Sequence, residues 1–458
     1  MDHHDLLQDE ATYCSFGDTV HYLEPPKLFS RCEGSFLFDS GDRPYLDLQM
    51  WYSACNFGYA NPRLNQALKR QIDTLPQLAC QYVHREKILL AKALAQKVES
   101  IWGVKGRIHF NVGGSQAVED SLKLVRNACQ GKSLMFAYEG GYHGRTLGAS
   151  AITSSYRYRR RYGHFGDRAQ FVPFPYCFRC PYGKNRDQCD LYCVDQFARL
   201  FDSEYYGVWD PKDGSAEYAA FYVEAVQGTG GYVVPPPGYF AKLKRVLDER
   251  NILLVDDEIQ MAFYRTGKFF AMEHFNITPD VLVFGKAMTN GMNPIAGLWA
   301  REPLINPKVF PPGSTHSTFS SNPLGTAVAL EAIQMMAEKD YESMVMEKGA
   351  YLLEGLKELQ RRYRIIGDVD GLGMALRVEI CREDGYTPDK AMTDRLLEEG
   401  MKADLTTNGK QYGLILDIGG YHKNVITLAP SLEITRPEMD LAITLLDLLF
   451  ARVTRSAA

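Results

Sequence analysis

Residues 251–267 read Asn-Ile-Leu-Leu-Val-Asp-Asp-Glu-Ile-Gln-Met-Ala-Phe-Tyr-Arg-Thr-Gly, and residues 281–287 read Val-Leu-Val-Phe-Gly-Lys-Ala. Ile252–Val255 is a short apolar run with the length of a buried strand. The acids after it therefore fall at a strand end, where open α/β sheets gather their ligand groups. The second apolar run ends on a single lysine, Lys286. A lysine there costs desolvation energy unless it has a role or a partner. A carboxylate beside a lysine at adjacent strand ends is what a pyridoxal phosphate (PLP) site needs. The lysine forms the Schiff base, and the acid keeps the pyridine nitrogen protonated so that the ring accepts electrons. The plain alternative is a buried Asp–Lys ion pair in any α/β protein.

Asp257-Glu258-Ile259-Gln260, followed by Arg265-Thr266-Gly267 and by Lys286, resembles the class III aminotransferases. These are PLP-dependent enzymes of fold-type I, and the resemblance covers nearly the whole chain. It implies an α/β fold with a large domain, built on a mostly parallel sheet flanked by helices, and a small α/β domain. The expected division puts residues 1–70 with the small domain, 71–325 in the large PLP-binding domain and 326–458 in the small C-terminal domain. By position the resemblance makes Lys286 the Schiff-base lysine and Asp257 the partner of the ring nitrogen. Gln260 would bond the ring hydroxyl, and Ile259 would pack on a ring face. Asp256 is set aside because the motif aligns on Asp-Glu.

Phe110-Asn-Val-Gly-Gly-Ser-Gln-Ala-Val-Glu-Asp-Ser-Leu reads as a turn opening a helix. Gly113 and Gly114 permit tight backbone, Ser115 is expected at the N-cap, and Val118, Leu122 and Val125 recur at helical spacing. A helix N-terminus with bare N–H groups and a hydroxyl is a phosphate site, and the resemblance gives that role to Gly114 and Ser115. In Tyr-Glu-Gly-Gly-Tyr-His-Gly-Arg (138–145), Tyr142 aligns with the aromatic that stacks on the pyridine ring and His143 follows it. His143 is read as a structural histidine that orients the loop. Arg145 falls where some relatives hold a substrate carboxylate. Thr318 aligns with a threonine that reaches the phosphate of the neighbouring subunit, which implies a homodimer with shared sites.

The buried strand Ala219–Val226 ends in Gln227-Gly-Thr-Gly-Gly. Glu224 is kept from the family pattern, but Thr229 replaces a second glutamate. Thr427 stands where the resemblance expects that glutamate's arginine partner, the group that binds an α-carboxylate. Both halves are missing together, as they should be, since a buried glutamate without its arginine is costly. The aromatic segment from Gln49 to Pro62 offers Trp51 and Tyr52 as pocket walls, with Tyr82 further on. These departures favour an amine, an ω-amino acid or an amino sugar, such as an aminoglycoside intermediate, over a simple α-amino acid. A racemase or epimerase on the same scaffold is the alternative, and a non-catalytic protein on this fold is disfavoured by the intact Lys286 and Asp257.

The chain has 458 residues and a formal charge of −5. That size can bury a large core, and that charge gives no hint of a nucleic-acid partner. The basic aromatic run 156–162 is accordingly read as a solvated face or a subunit interface. No apolar run reaches the length of a membrane span. The polar start of the chain carries no targeting signal, so a cytoplasmic location is expected. Cys177, Cys180, Cys189 and Cys193 sit in an insertion over 170–195. Two close pairs can hold zinc or an iron–sulfur cluster; we read them instead as free, loop-packing thiols without a catalytic role, and no metal is expected. Gly34–Leu48 reads as a hairpin turning at Ser40-Gly41-Asp42, and Leu324–Ala337 as a helix.

Overall fold

The structure, a computed structural model, describes residues 3–15, 17, 26–159, 162 and 169–455. Pro25 and the Arg160-Arg161 pair of the basic aromatic run lie outside the described residues. Seven strands form the central sheet: Gly106–Asn111 (β1), Leu134–Tyr138 (β2), Gln170–Val172 (β3), Tyr218–Val223 (β4), Leu253–Asp257 (β5), Val281–Phe284 (β6) and Ala296–Arg301 (β7). Their order is β1-β7-β6-β5-β4-β2-β3. Only β7 runs against its neighbours; every other pairing is parallel. The expected mostly parallel α/β sheet is therefore what the chain forms.

Strands β4, β5 and β6 are buried along their whole length. This is the reason their sequences are nearly continuous apolar runs rather than alternating ones. One face packs on the helix Gly114–Ala128 (α1) through Val118, Leu122 and Val125, with Leu253, Val255, Val281 and Val283 from the sheet. The other face receives Phe221, Val223 and Leu254. Side chains alternate along a strand, so Asp257 continues the face of Leu253 and Val255, whereas Asp256 continues that of Leu254. The register pairs Asp256 with both Val223 of β4 and Leu282 of β6. Glu224, Asp257 and Lys286 thus emerge at the carboxyl ends of three adjacent strands.

The two ends of the chain meet in a second sheet. Phe36–Asp39 and Pro44–Asp47 form the expected hairpin, and Pro44–Asp47 then pairs in parallel with Lys410–Ile415. A third, antiparallel sheet holds Ile366–Leu372, Ala375–Ile380, Val425–Leu428 and Asp417–Gly419. The expected helix at 324–337 spans Pro323–Glu338, and the Asn322 side chain caps it by accepting from the Gly325 N–H. The insertion carrying four cysteines is tied to the third sheet by Arg179, which pairs with Glu379 and donates to the Tyr386 carbonyl at 2.6 Å. All four thiols are free and line a cavity of about 20 Å³. Among the described residues no group of three or more His, Cys, Asp or Glu side chains is placed to hold a metal ion. No helix among the described residues is long and apolar enough to cross a membrane.

Candidate active site

Three strand ends place the charged groups. The Asp257 carboxylate meets His143 Nδ1 at 2.8 Å through Oδ2 and accepts the Ile259 N–H at 3.1 Å through Oδ1. Both side chains are buried. Burial alone would push the His143 imidazole down; the hydrogen bond and charge of Asp257, with Glu224 behind it, outweigh burial and raise it. Glu224 sits beside this pair and is pushed up to about 7, first by burial and then by the charge of Asp257. Its two oxygens accept the N–H groups of Tyr142 (3.0 Å) and Gly228 (2.9 Å). Glu224 therefore fixes the two loops that flank the strand ends rather than reaching the cavity itself.

Lys286 opens a single helical turn directly after β6, in a left-handed backbone conformation (φ 43°). That conformation is costly for a residue other than glycine and is tolerated where surrounding structure enforces it. Its amine forms no ion pair or hydrogen bond among the described residues. Burial lowers its pKa, against the opposing charges of Asp257, Glu224 and Asp417. An unpartnered amine on a cavity wall, its pKa lowered by burial, can act as a nucleophile and a base.

Helix α1 begins one residue earlier than the expected cap. Gly113 is the N-cap, with extended backbone and no side-chain hydrogen bond, so Ser115 lies inside the first turn. A glycine cap leaves the first N–H groups bare. The Ser115 hydroxyl is used differently: it accepts the Arg145 N–H at 3.2 Å. Gly144, at φ 125°, allows that approach, because a side chain there would collide with Ser115. Ile259 packs against Gly114, where an added Cβ would lie 2.9 Å from Ile259 Cδ1.

A cavity of about 250 Å³ opens in front of Lys286. Of the residues singled out from sequence, Tyr52, Tyr142, Arg145, Thr229, Gln260 and Thr427 line it together with Lys286. Gln260 is held by Tyr232, whose hydroxyl it reaches at 3.0 Å and which in turn bonds Ser53 at 3.1 Å. Arg145 lies over the Tyr158 ring, 4.6 Å from its centroid. Tyr158 also meets Tyr142 edge to face. The cavity adds residues that sequence reading missed, among them Tyr232, Asp417 and Lys423, of which Asp417 and Lys423 lie far along the chain. It also takes in Arg157 and Tyr158 of the basic aromatic run, a stretch read from sequence as a solvated face or a subunit interface.

Trp51 and Tyr82 do not line this cavity. They are 54% and 66% exposed. The cause at Trp51 is local. Met50, Trp51, Tyr52 and Ser53 are all left-handed, with φ between 45° and 65°. Asp47 holds the turn by accepting the Gln49 and Met50 N–H groups at 2.7 and 2.8 Å and the Tyr59 hydroxyl at 2.6 Å. The turn sends Tyr52 inward and Trp51 out beside Gly291. Thr318 is exposed on a loop anchored by Thr315 to Asp120 at 2.5 Å, away from the cavity of its own chain.

The family described as Aminotransferase class-III matches residues 20–449. The chain belongs to the class III aminotransferases. An alanine/serine racemase of Pyrococcus horikoshii is 31% identical over 445 residues, covering 97% of this chain and 89% of the relative. An ornithine aminotransferase of Brevibacillus brevis is 30% identical, over 93% of this chain and 94% of the relative. The fold superposes on an omega-transaminase from Thermomicrobium roseum with a TM-score of 0.85 at 24% identity, across 99% of both chains. This class III aminotransferase is a PLP enzyme, and its own residues fit the cofactor. Lys286 is unpartnered, the first N–H groups of α1 are uncapped, and a cavity lies in front of both Lys286 and Tyr142.

Proposed function

We propose that this enzyme transfers an amino group between an amino donor and an oxo acceptor, and that its principal substrate is an amine, an ω-amino acid or an amino sugar. The observation that carries the substrate reading is that Thr229 and Thr427, standing where the resemblance expects a glutamate and its arginine, both line the cavity. The Thr427 hydroxyl is already committed to Asp417 at 2.9 Å. An aminoglycoside intermediate, with many hydroxyls and no α-carboxylate, suits such a cavity.

PLP, when bound, supplies the sink for the electron pair released at the substrate's amine-bearing carbon. Lys286 Nζ would take the proton from that carbon as a general base and, as the acid so formed, would hand it to C4′ of the cofactor, the opposite half-reaction running the two transfers in reverse. Its lowered pKa favours the neutral form that the first of these steps needs. The Asp257 carboxylate, oriented by His143 and the Ile259 N–H, serves the ring nitrogen, and Gln260, steadied by Tyr232, serves the ring hydroxyl. Gly114 and Ser115 offer a phosphate site at the start of α1. Tyr142 and Ile259 serve as the two faces of a ring slot, and Glu224 positions Tyr142 from behind. Thr318 serves the site of a second copy in a homodimer. The neighbouring Phe319, 69% exposed, together with exposed Trp51 and Tyr82, supports a contact surface there. We place the large domain at 71–325 and assign 1–70 and 326–458 to the small one.

The racemase similarity keeps a second reaction in view, return of the proton to the same carbon. An absorption spectrum of the PLP-loaded enzyme separates the two. Single amines are added without an oxo acceptor: glutamate, glutamine, ω-amino acids, simple amines and amino sugars. Conversion of the cofactor band to that of its amine form is the expected result and names the donor class. A band that never converts while solvent deuterium enters the substrate would establish racemisation instead.

A further inference from the structure

Asp417 is a carboxylate on the wall of the same cavity as Lys286, at the start of the strand Asp417–Gly419. Its oxygens accept from two neutral side-chain donors. Gln49 Nε2 donates to Oδ1 at 3.2 Å, and Thr427 Oγ1 donates to Oδ2 at 2.9 Å. Among the described residues no cation pairs with it. Lys423, at the tip of the same hairpin, acts on it only through its charge at longer range. Of the cavity's other cations, Arg145 and Arg157 both lie over Tyr158, 4.6 and 5.5 Å from its centroid, and Lys286 acts on Asp417 only through its charge. Burial holds the Asp417 carboxyl above the ordinary range, against its hydrogen bonds and the charge of Lys423.

A shielded carboxylate without a directly paired cation is costly in a folded protein. Here it is also oriented, by hydrogen bonds from Gln49, Thr427 and the Ile418 N–H, on a residue that lines the cavity. A substrate cation would complete it. The cavity offers the partner no other acid among its lining residues, since Asp257 and Glu224 are committed to His143 and to backbone N–H groups. Lys286 is where one amino group of the substrate reacts, so the group that reaches Asp417 must be another.

We propose that Asp417 is a specificity residue that recognises a second, cationic amino group on the amine substrate, so that the enzyme selects diamines and polyamino compounds over monoamines. The inference rests on the transaminase reading of this cavity and narrows its substrate class. Gln49 and Thr427 act through Asp417 as positioning residues.

The test is calorimetric binding of 1,4-diaminobutane and of butylamine to the PLP-loaded enzyme, alongside the spectral conversion each amine produces. Wild-type enzyme is expected to prefer the diamine by about tenfold or more, the scale of a desolvated charge pair. In Asp417→Asn that ratio falls toward one. The wild-type ratio is decisive on its own should the variant fold poorly: equal affinity for the two amines overturns the inference. So does a diamine preference that survives in Asp417→Asn. Spectral conversion without a diamine preference sinks the inference and spares the transaminase reading. An Asp417-dependent preference without conversion does the reverse.

Discussion

Asp256 and Asp257 are the same residue type at consecutive positions of one strand, and the fold treats them in opposite ways. Asp257 faces His143 at 2.8 Å and an N–H of its own loop. Asp256 faces the other side of the sheet, against Glu258, where burial and the neighbouring carboxylate hold it well above the ordinary range. Both are buried. Burial therefore does not separate them; the partner across the gap does. A carboxylate opposite an imidazole is an oriented charge that a bound ring can use. A carboxyl opposite a carboxyl is a pair that holds protons. Neither Asp256 nor Glu258 forms an ion pair among the described residues.

The sharpest way to break this contrast is to neutralise each acid in turn. Asp257→Asn is expected to lower kcat/KM on the order of a thousandfold, the scale of losing a positioned charge or proton-transfer partner. Asp256→Asn should leave kcat/KM within about threefold, because a protonated carboxyl and an amide carry the same charge. Equal losses in steady-state assays would show that the two faces do not differ in function. A smaller effect is expected one step back. His143→Asn removes the group that orients Asp257 and should cost about 10- to 100-fold, as supporting partners of a site do. That loss should be strongest at low pH, where the wild-type imidazole is charged, since Asp257 and Glu224 raise His143 despite its burial. A pH–rate profile for the variant that merely runs parallel to wild type would reduce His143 to a packing residue.

The contrast also marks what could be read from sequence. Asp257, Gln260 and Lys286 stand in contiguous runs whose strand character follows from apolar length, so their convergence at the sheet edge was legible. Which of two adjacent acids faces the site was legible only through family register, because strand alternation fixes opposite faces but not which face is which. The His143–Asp257 contact joins residues 114 apart in the chain, and no local pattern encodes it. Asp417 was missed for the same reason: its role depends on a hairpin folding over the sheet edge. The left-handed turn at 50–53 was missed for a different one. Met-Trp-Tyr-Ser contains no glycine to announce positive φ, and the conformation is imposed by the buried Asp47 accepting from Gln49 and Met50. That turn is why Tyr52 reaches the cavity while Trp51 does not. Ser115 was misplaced because a glycine pair left the start of α1 open to a shift of register, and the helix took Gly113 as its cap.

The smallest expected effect is in stability, and it tests the far face directly. Glu258 has its carboxyl pushed up from 4.5 to about 7, chiefly by burial, with the Ala271 and Met272 N–H groups opposing. An acid whose folded pKa is raised binds more protons in the folded state than in the unfolded one. Stability is then greatest below the unfolded pKa and falls as pH rises toward the folded pKa, levelling above it. For Glu258 that decline spans the interval from 4.5 to about 7, and Asp256 adds to it, because its shift has the same sign. Glu258→Gln removes the charge while its amide oxygen still accepts the Met272 N–H, now made at 2.8 Å. Wild-type Tm should fall between pH 5 and pH 8, and the variant's curve should be flatter, gaining a few degrees at the upper end. Glutamine also relieves Asp256 of its like-charged neighbour, so the gain should not come at the expense of kcat/KM. Parallel melting curves would mean that the far-face pair does not hold its protons, and the distinction between the two sides of β5 would then rest on His143 alone.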